Sequence, residues 1–406
     1  MQIFRRPQIN AGLVRQARCV CLALGGAFAV FITSPQIPAA AAEPYEINAI
    51  MPLTGSAAFL GQALLQGLKL VEKQTNANGG IHGRPLRLVV SDDQSNPQTD
   101  VQLLTPLVAK HVPVVIDGGP VAMCRAAAPL VTDGPVLYCL SPALYPKNGS
   151  FAFSTSGSSE DETHALVNFM RSRHWKRVAV ITPTDATGQE FERVIHQLMA
   201  LPENRQMTIV AFEHFSPGDL TVAAQVAKIK ESRPDVVMAW GTGAATATSY
   251  RGLKEAAIDV PVVGANGNQS YTAMEQWSAI LPRQYYQYAM RWPAYKRLRP
   301  GPVKNAMATM YRAYAAVGAK PDIGASGAWD PLSIVVAQLR ALPEPATAQQ
   351  LRDAILQLHG YPGINGFYDF RVGNQRGLGL KDCMVVRWDA ATKTFVPASG
   401  SAGLPE

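Results

Sequence analysis

Residues 86–117 read LRLVVSDDQSNPQTDVQLLTPLVAKHVPVVID. An apolar run at 86–91 gives way to Asn96-Pro97, which suits a helix start, then to a helix-periodic stretch over 97–111 and a second apolar run at 113–117. Two short apolar runs joined by a helix form a βαβ unit, with parallel strands buried on both faces. Upstream, the same logic predicts a strand at 45–50 and a helix at 61–78. Downstream it predicts a helix at 122–132 and a strand at 135–140.

A second series follows, with strands at 177–182, 207–212, 236–240 and 260–264. Helices at 160–173, 188–200, 219–232 and 244–257 precede or separate them. The expected fold class is therefore α/β: two doubly wound parallel-sheet lobes, each with its own core. The break falls at 151–157, where Ser154-Thr155-Ser156-Gly157-Ser158-Ser159 is small and polar; Glu160, Asp161 and Glu162 then suit the first turn of a helix. After residue 284 the alternation stops. Helical patterns at 302–317, 328–341 and 347–358 lead to a turn-rich strand pair within 367–395.

The chain has 406 residues, 47% hydrophobic and 17% charged, with a mean hydropathy of 0.00, which excludes a disordered, collagenous or multi-span membrane protein. The net charge of +7 does not support nucleic-acid binding. Residues 1–42 hold Arg5, Arg6, Arg15 and Arg18 and no acid, leaving 33 Lys and Arg against 30 Asp and Glu in the rest. That leader has a basic start, an apolar run at 19–33 and a small-residue tail through Ala40 and Ala42, so a signal peptide cleaved after Ala42 is expected. Past it remain Cys124, Cys139 and Cys383. Cys124 begins a helix after one strand and Cys139 ends the next strand, close enough for a bridge; three unpaired buried thiols are the alternative.

Catalytic motifs do not assemble. Gly241-Thr242-Gly243-Ala244-Ala245-Thr246 sits where a dinucleotide fingerprint would sit, but its third glycine is Thr246, so a tight turn facing a cleft is the better reading. No glycine is followed directly by lysine, which excludes a P-loop. The seven histidines show no HExxH, and Gly324-Ala325-Ser326-Gly327 lacks the strand and spacing of a nucleophile elbow. Asp92-Asp93 reads as a solvated turn ahead of the Asn96 cap. No metal or cofactor is expected.

Met51-Pro52-Leu53-Thr54-Gly55 follows the first strand. It is joined by the run from Asn78-Gly79-Gly80-Ile81-His82-Gly83-Arg84-Pro85 to Asp92-Asp93-Gln94-Ser95-Asn96-Pro97, by Asp117-Gly118-Gly119-Pro120, by Ser141-Pro142-Ala143 and by Gly363-Ile364-Asn365-Gly366-Phe367-Tyr368-Asp369. In these motifs the chain resembles the periplasmic solute-binding proteins of the branched-chain amino acid transport type. The resemblance implies two lobes joined by three crossings, here near Ser156, Tyr288 and Gly363. Lobe 1 would comprise 43–157 plus 286–362, and lobe 2 158–285 plus 363–406. It further implies a periplasmic monomer that closes on a small solute and delivers it to an inner-membrane ABC permease with separate ATPase subunits; a sensory binding protein of the same fold is the alternative.

By the same resemblance the solute-contacting positions of lobe 1 are Phe59, Leu60, Gly119, Pro120, Met123, Ser141, Pro142 and Ala143. Those of lobe 2 are Thr187, Trp240, Gly241, Asn266 and Gly267. Thr187 stands where the family often has Tyr, and Asn266 stands in the segment where amino acid binders place an acid for the ammonium. A carboxylate or aromatic acid is therefore expected rather than a standard amino acid, with Phe59 or Trp240 able to stack on a ring and Arg125 in reach of a carboxylate. A branched-chain amino acid or an amide is the alternative.

Overall fold

The structure, a computed structural model, describes residues 42–155 and 157–406. The signal peptide expected over 1–42 lies outside the described residues except for Ala42, and so does Ser156 at the first expected crossing. No helix among the described residues is long and apolar enough to cross a membrane.

The first lobe is built on five parallel strands: β1 (Tyr45–Met51), β2 (Leu86–Asp92), β3 (Val114–Asp117), β4 (Val136–Cys139) and β5 (Ala152–Ser154), in the order β2-β1-β3-β4-β5. Helices α1 (Ala58–Ala77), α2 (Pro97–Ala109) and α3 (Val121–Ala127) make the crossovers. Asn96 caps α2, its side chain accepting from the Gln98 and Thr99 amides, with Pro97 at the first helical position where no amide hydrogen is missed. Every residue of β3 and β4 is buried, as their unbroken apolar runs require. β5 occupies part of the stretch expected to be linker. Its three residues, Ala-Phe-Ser, are too short to carry a periodic signal.

The second lobe repeats the plan. Strands β6 (Arg177–Pro183), β7 (Thr208–Phe215), β8 (Val236–Ala239), β9 (Val262–Gly264) and β10 (Tyr285–Met290) run parallel in the order β7-β6-β8-β9-β10. Helices α4 (Ser159–Ser172), α5 (Ala186–Met199), α6 (Ala223–Glu231), α7 (Ala244–Glu255) and α8 (Tyr271–Gln276) precede or connect them. Ser158 and Asp161 form a reciprocal capping box at the start of α4, and Asp185 caps α5.

The returning chain adds three helices, α9 (Pro302–Ala315), α10 (Asp330–Ala341) and α11 (Ala348–Leu356), all packed on the first lobe. A π-helical turn, Ala325–Trp329, leads into α10 and lies directly against α1. The approach is backbone to backbone: a Cβ on Gly67 would sit 2.4 Å from the Gly324 carbonyl oxygen, and one on Gly324 only 1.9 Å from that of Ala63. A hairpin of β11 (His359–Pro362) and β12 (Phe367–Asp369) follows. Then β13 (Cys383–Asp389) and β14 (Thr394–Pro397) add antiparallel to β10 and complete a seven-stranded sheet.

Two expected boundaries move. The division placed at residue 286 cuts β10, which stays in the second sheet through Met290 because it pairs with β9 on one side and β13 on the other. The third crossing falls after Arg376 instead of at Gly363. Residues 364–376 remain on the first lobe: Asp330 accepts from the Ile364 and Asn365 amides and the Tyr368 hydroxyl, Phe370 packs edge-on against Phe153, and the Ser154 amide donates to the Gln375 carbonyl. The Gly363-Ile364-Asn365-Gly366 motif is thus the turn of the β11–β12 hairpin, seated on a buried carboxylate.

Candidate solute-binding cleft

Strand order decides where a site can form. In both lobes the second strand lies outside the first and the third lies on its other side, so adjacent crossovers leave on opposite faces and open a crevice at the carboxyl ends. The two crevices face each other and enclose a cavity of about 80 Å³. Each wall segment begins where a strand ends. Gly119, Pro120 and Val121 follow β3; Leu140, Ser141, Pro142 and Ala143 follow β4; Trp240 and Thr242 follow β8; Ala265, Asn266 and Gly267 follow β9.

Ten of the thirteen expected positions line this cavity: Leu60, Gly119, Pro120, Ser141, Pro142, Ala143, Thr187, Trp240, Asn266 and Gly267. Three do not. Phe59 reaches across to the second lobe beside the cavity, packing edge-on against Trp277 at 6.4 Å and against the turn at Gly243, while Leu60, about 100° further round α1, takes the inward direction. Met123 is buried behind the wall beside Gly119, and Gly241 contributes its carbonyl to the Asn268 side-chain amide. Trp240 faces the cavity, but Phe191 stacks on it at 4.3 Å with planes 10° apart; the two rings form one apolar wall with Leu64, Val121, Leu140 and Ile323.

The loops are tied together by buried polar groups. Asn268 accepts from the Gly243 amide at 3.0 Å and donates to the Gly241 carbonyl at 2.8 Å, joining the turns after β8 and β9. The Ser159 amide at the start of α4 donates to the Pro142 carbonyl at 3.2 Å, linking the lobes. Arg376 is 3% exposed and donates to the carbonyls of Thr155, Gly157, Pro142 and Leu144, so one guanidinium spans the third crossing, the first crossing and the loop after β4.

The cleft is not without acids, as the residues after β9 had suggested. Glu162 of α4 and Glu190 of α5 both line it. Glu190 is bound by Arg125 and Arg193, each at 2.7 Å, so Arg125 reaches a carboxylate of the protein itself. Glu162 is 1% exposed, and its Oε1 has no hydrogen-bond partner among the described residues. Burial pushes its carboxyl well above the usual range, against the opposing pull of Arg376 and Asn266. Both acids follow from helical spacing. Ser159 and Glu162 are three apart, and Thr187, Glu190 and Phe191 share one face of α5.

Cys124 and Cys139 are bridged, with Cα atoms 5.9 Å apart, and Cys383 is a buried free thiol. Asp117 approaches the bridge closely enough for the three side chains to resemble a metal-ligand set, but both sulfurs are spent on the disulfide. Behind the cleft, the expected solvated turn at Asp92-Asp93 divides. Asp92 accepts from the Leu53, Thr54 and Gln94 amides and the Thr54 hydroxyl, holding the first loop, whereas Asp93 is fully buried.

Comparison with known proteins places this architecture. The family model described as periplasmic binding protein matches residues 44–393. A Leu/Ile/Val-binding protein homolog of Brucella melitensis is 25% identical over 235 residues, 56% of this chain and 63% of the relative, so the chain spans somewhat less than two thirds of that relative's length. Among solved structures, an extracellular ligand-binding receptor from Rhodopseudomonas palustris superimposes with a TM-score of 0.75 at 20% identity, covering 88% of this chain and 99% of that one. A fatty acid ABC transporter substrate-binding protein from Thermomonospora curvata gives a TM-score of 0.72 at 18% identity, covering 88% and 92%. With its two facing doubly wound sheets and a family match over most of its length, the chain belongs to the periplasmic binding protein family, in the type 1 fold of the branched-chain amino acid binding proteins.

Proposed function

We propose that the chain is the extracytoplasmic solute-binding component of an ABC importer and that it captures a small organic carboxylate with an apolar body. The observation that carries this reading is the cavity itself. It lies between the carboxyl ends of two parallel sheets, is walled by Leu60, Leu64, Val121, Leu140, Trp240, Phe191 and Ile323, and holds the Ser141 hydroxyl at the lobe 1 side. The first turns of α4 and α5 open on it through Ser159 and Thr187, the loop ahead of α7 through Thr242, and helix starts favour an anion. The similar proteins include a Leu/Ile/Val-binding protein homolog and a structural neighbour that is a fatty acid binding protein, whose solutes all carry a carboxylate on an apolar body.

Size narrows the class. An apolar cavity of about 150 Å³ holds a benzene ring. The cavity of about 80 Å³ here is roughly half of that, so it suits a short acid, and the lobes would open further for a ring or a longer chain. Export through a signal peptide cleaved after Ala42, delivery to a permease with separate ATPase subunits, and binding without turnover complete the proposal. The chain would cross between lobes around residue 156, after Met290 and after Arg376.

Thermal unfolding of the chain starting at Glu43, in the presence of short aliphatic acids, aromatic acids and branched-chain amino acids, tests the solute class. A solute at 100 times its Kd adds about 2.7 kcal/mol of stability, a readable rise in Tm. A rise with the simple acids alone supports the reading. A rise with leucine, isoleucine or valine alone replaces it by amino acid binding.

A further inference from the structure

We infer that Glu162 enters the cleft as a neutral carboxylic acid and donates a hydrogen bond to an acceptor oxygen of the solute, selecting an oxygen over an ammonium at that end. This rests on the solute-class reading above.

Glu162 is 1% exposed, it lines the cavity, and its Oε1 has no partner among the described residues. An ionised carboxylate in such a place needs a cation or several donors, because the loss of water is otherwise uncompensated. The cation behind it, Arg376, spends its guanidinium on four backbone carbonyls and forms no ion pair with Glu162. Arg125 and Arg193 are engaged by Glu190, and Arg193 by Glu160 as well.

The remaining titratable neighbours bring no positive charge. On α4 itself Asp161 is a carboxylate, bound to the Ser158 amide and hydroxyl. From β10 comes Tyr288 and from β13 the Cys383 thiol, both buried and raised well above their ordinary values chiefly by burial, and from α5 comes Glu190. Asn266, from the loop after β9, hydrogen-bonds the carboxyl and favours its charged form without carrying charge. A proton on Glu162 removes a buried charge that Arg376 and Asn266 offset only in part, and turns a buried acceptor into a donor, a device by which a carboxylic acid in an apolar site serves as a hydrogen-bond donor at neutral pH. Such a donor completes a solute oxygen and leaves an ammonium without an acceptor charge, which is discrimination by an unpaired polar group.

The test uses the full exported chain labelled with carbon-13 at the glutamate carboxyl, with Glu162→Gln identifying the resonance by its loss. Alongside it, calorimetric titrations with benzoate, hexanoate and L-leucine are made on the wild type, Glu162→Gln and Glu162→Ala. The inference expects the Glu162 carboxyl to be protonated at pH 7. It also expects the acid that binds best to lose no more than about threefold in affinity in Glu162→Gln, whose amide still donates, and about tenfold or more in Glu162→Ala. Affinity in the wild type should fall as pH rises through the Glu162 titration, and stay flat in Glu162→Gln. An ionised Glu162 at pH 7, or a loss in Glu162→Gln as large as in Glu162→Ala, overturns it. L-leucine binding in place of both acids overturns the solute-class reading instead, and the carboxyl resonance decides Glu162 separately.

Discussion

Arg125 of α3 and Glu190 of α5 meet across the cleft, Nη2 to Oε2 at 2.7 Å, so the two lobes are joined at the rim of the cavity by an ion pair whose acid also lines it. Arg125 is 42% exposed at its side chain, so solvent screens the pair and holds its contribution below about 1 kcal/mol. Its consequence is kinetic. Arg125→Met is expected to speed solute release and weaken affinity about threefold, with association nearly unchanged, in a stopped-flow or surface-based measurement. An unchanged release rate would remove the pair from the closing mechanism.

Asn268 carries three hydrogen bonds at a fully buried position, to the Gly241 carbonyl, the Gly243 amide and the Thr246 hydroxyl. Asn268→Ala strands those groups and is expected to cost about 1–3 kcal/mol in urea unfolding, and to weaken solute binding because the turns after β8 and β9 lose their tie. Lost stability with intact affinity would show that the turns are held by other contacts.

Removing the bridge by the double change Cys124→Ala and Cys139→Ala opens a loop of 15-residue separation, which is expected to lower unfolding free energy by about 3 kcal/mol. Chemical denaturation with the wild type under oxidising conditions measures it, and equal midpoints would contradict the expectation.

Asp93, Asp100 and Asp117 gather behind the cleft, all fully buried. Burial, then mutual repulsion, pushes Asp100 up to about 7 and Asp117 well above the carboxylate range; Asp93 rises to about 6, chiefly through burial. Each folded-state value lies above the unfolded value near 4, so the folded chain binds more protons and their stabilisation is complete below pH about 4. It is lost as pH rises through 6 and 7 and beyond. Tm should therefore be higher at pH 5 than at pH 8, with Asp100→Asn raising Tm at pH 8 and flattening the profile. A profile that rises with pH over that range would contradict this.

Much of this was legible in the residues. The unbroken apolar runs of β3, β4 and β8 and the cap at Asn96 announced parallel strands and a helix start, and the segments after those strands supplied a large share of the cleft wall. What escaped has physical causes. β5 is three residues long, and β10, Tyr-Tyr-Gln-Tyr-Ala-Met, looks half polar yet is buried throughout between two neighbours. Glu162 and Glu190 sit one turn inside their helices, where an acid reads as a surface residue until the fold shows which face meets the cleft. Arg376 gave no local signal, since its partners lie more than 200 positions away in the chain.

If the proposed function holds, one small solute sits between the lobes and leaves them chemically unchanged. Calorimetric titration of the wild type and of Ala143→Trp, which fills the cavity wall, tests it most directly, using short aliphatic and aromatic carboxylates and branched-chain amino acids as probes. One site per chain is expected, with a negative heat-capacity change from buried apolar surface and loss of the binding heat in Ala143→Trp. Equal heats in both proteins, or a probe recovered chemically altered, would contradict it.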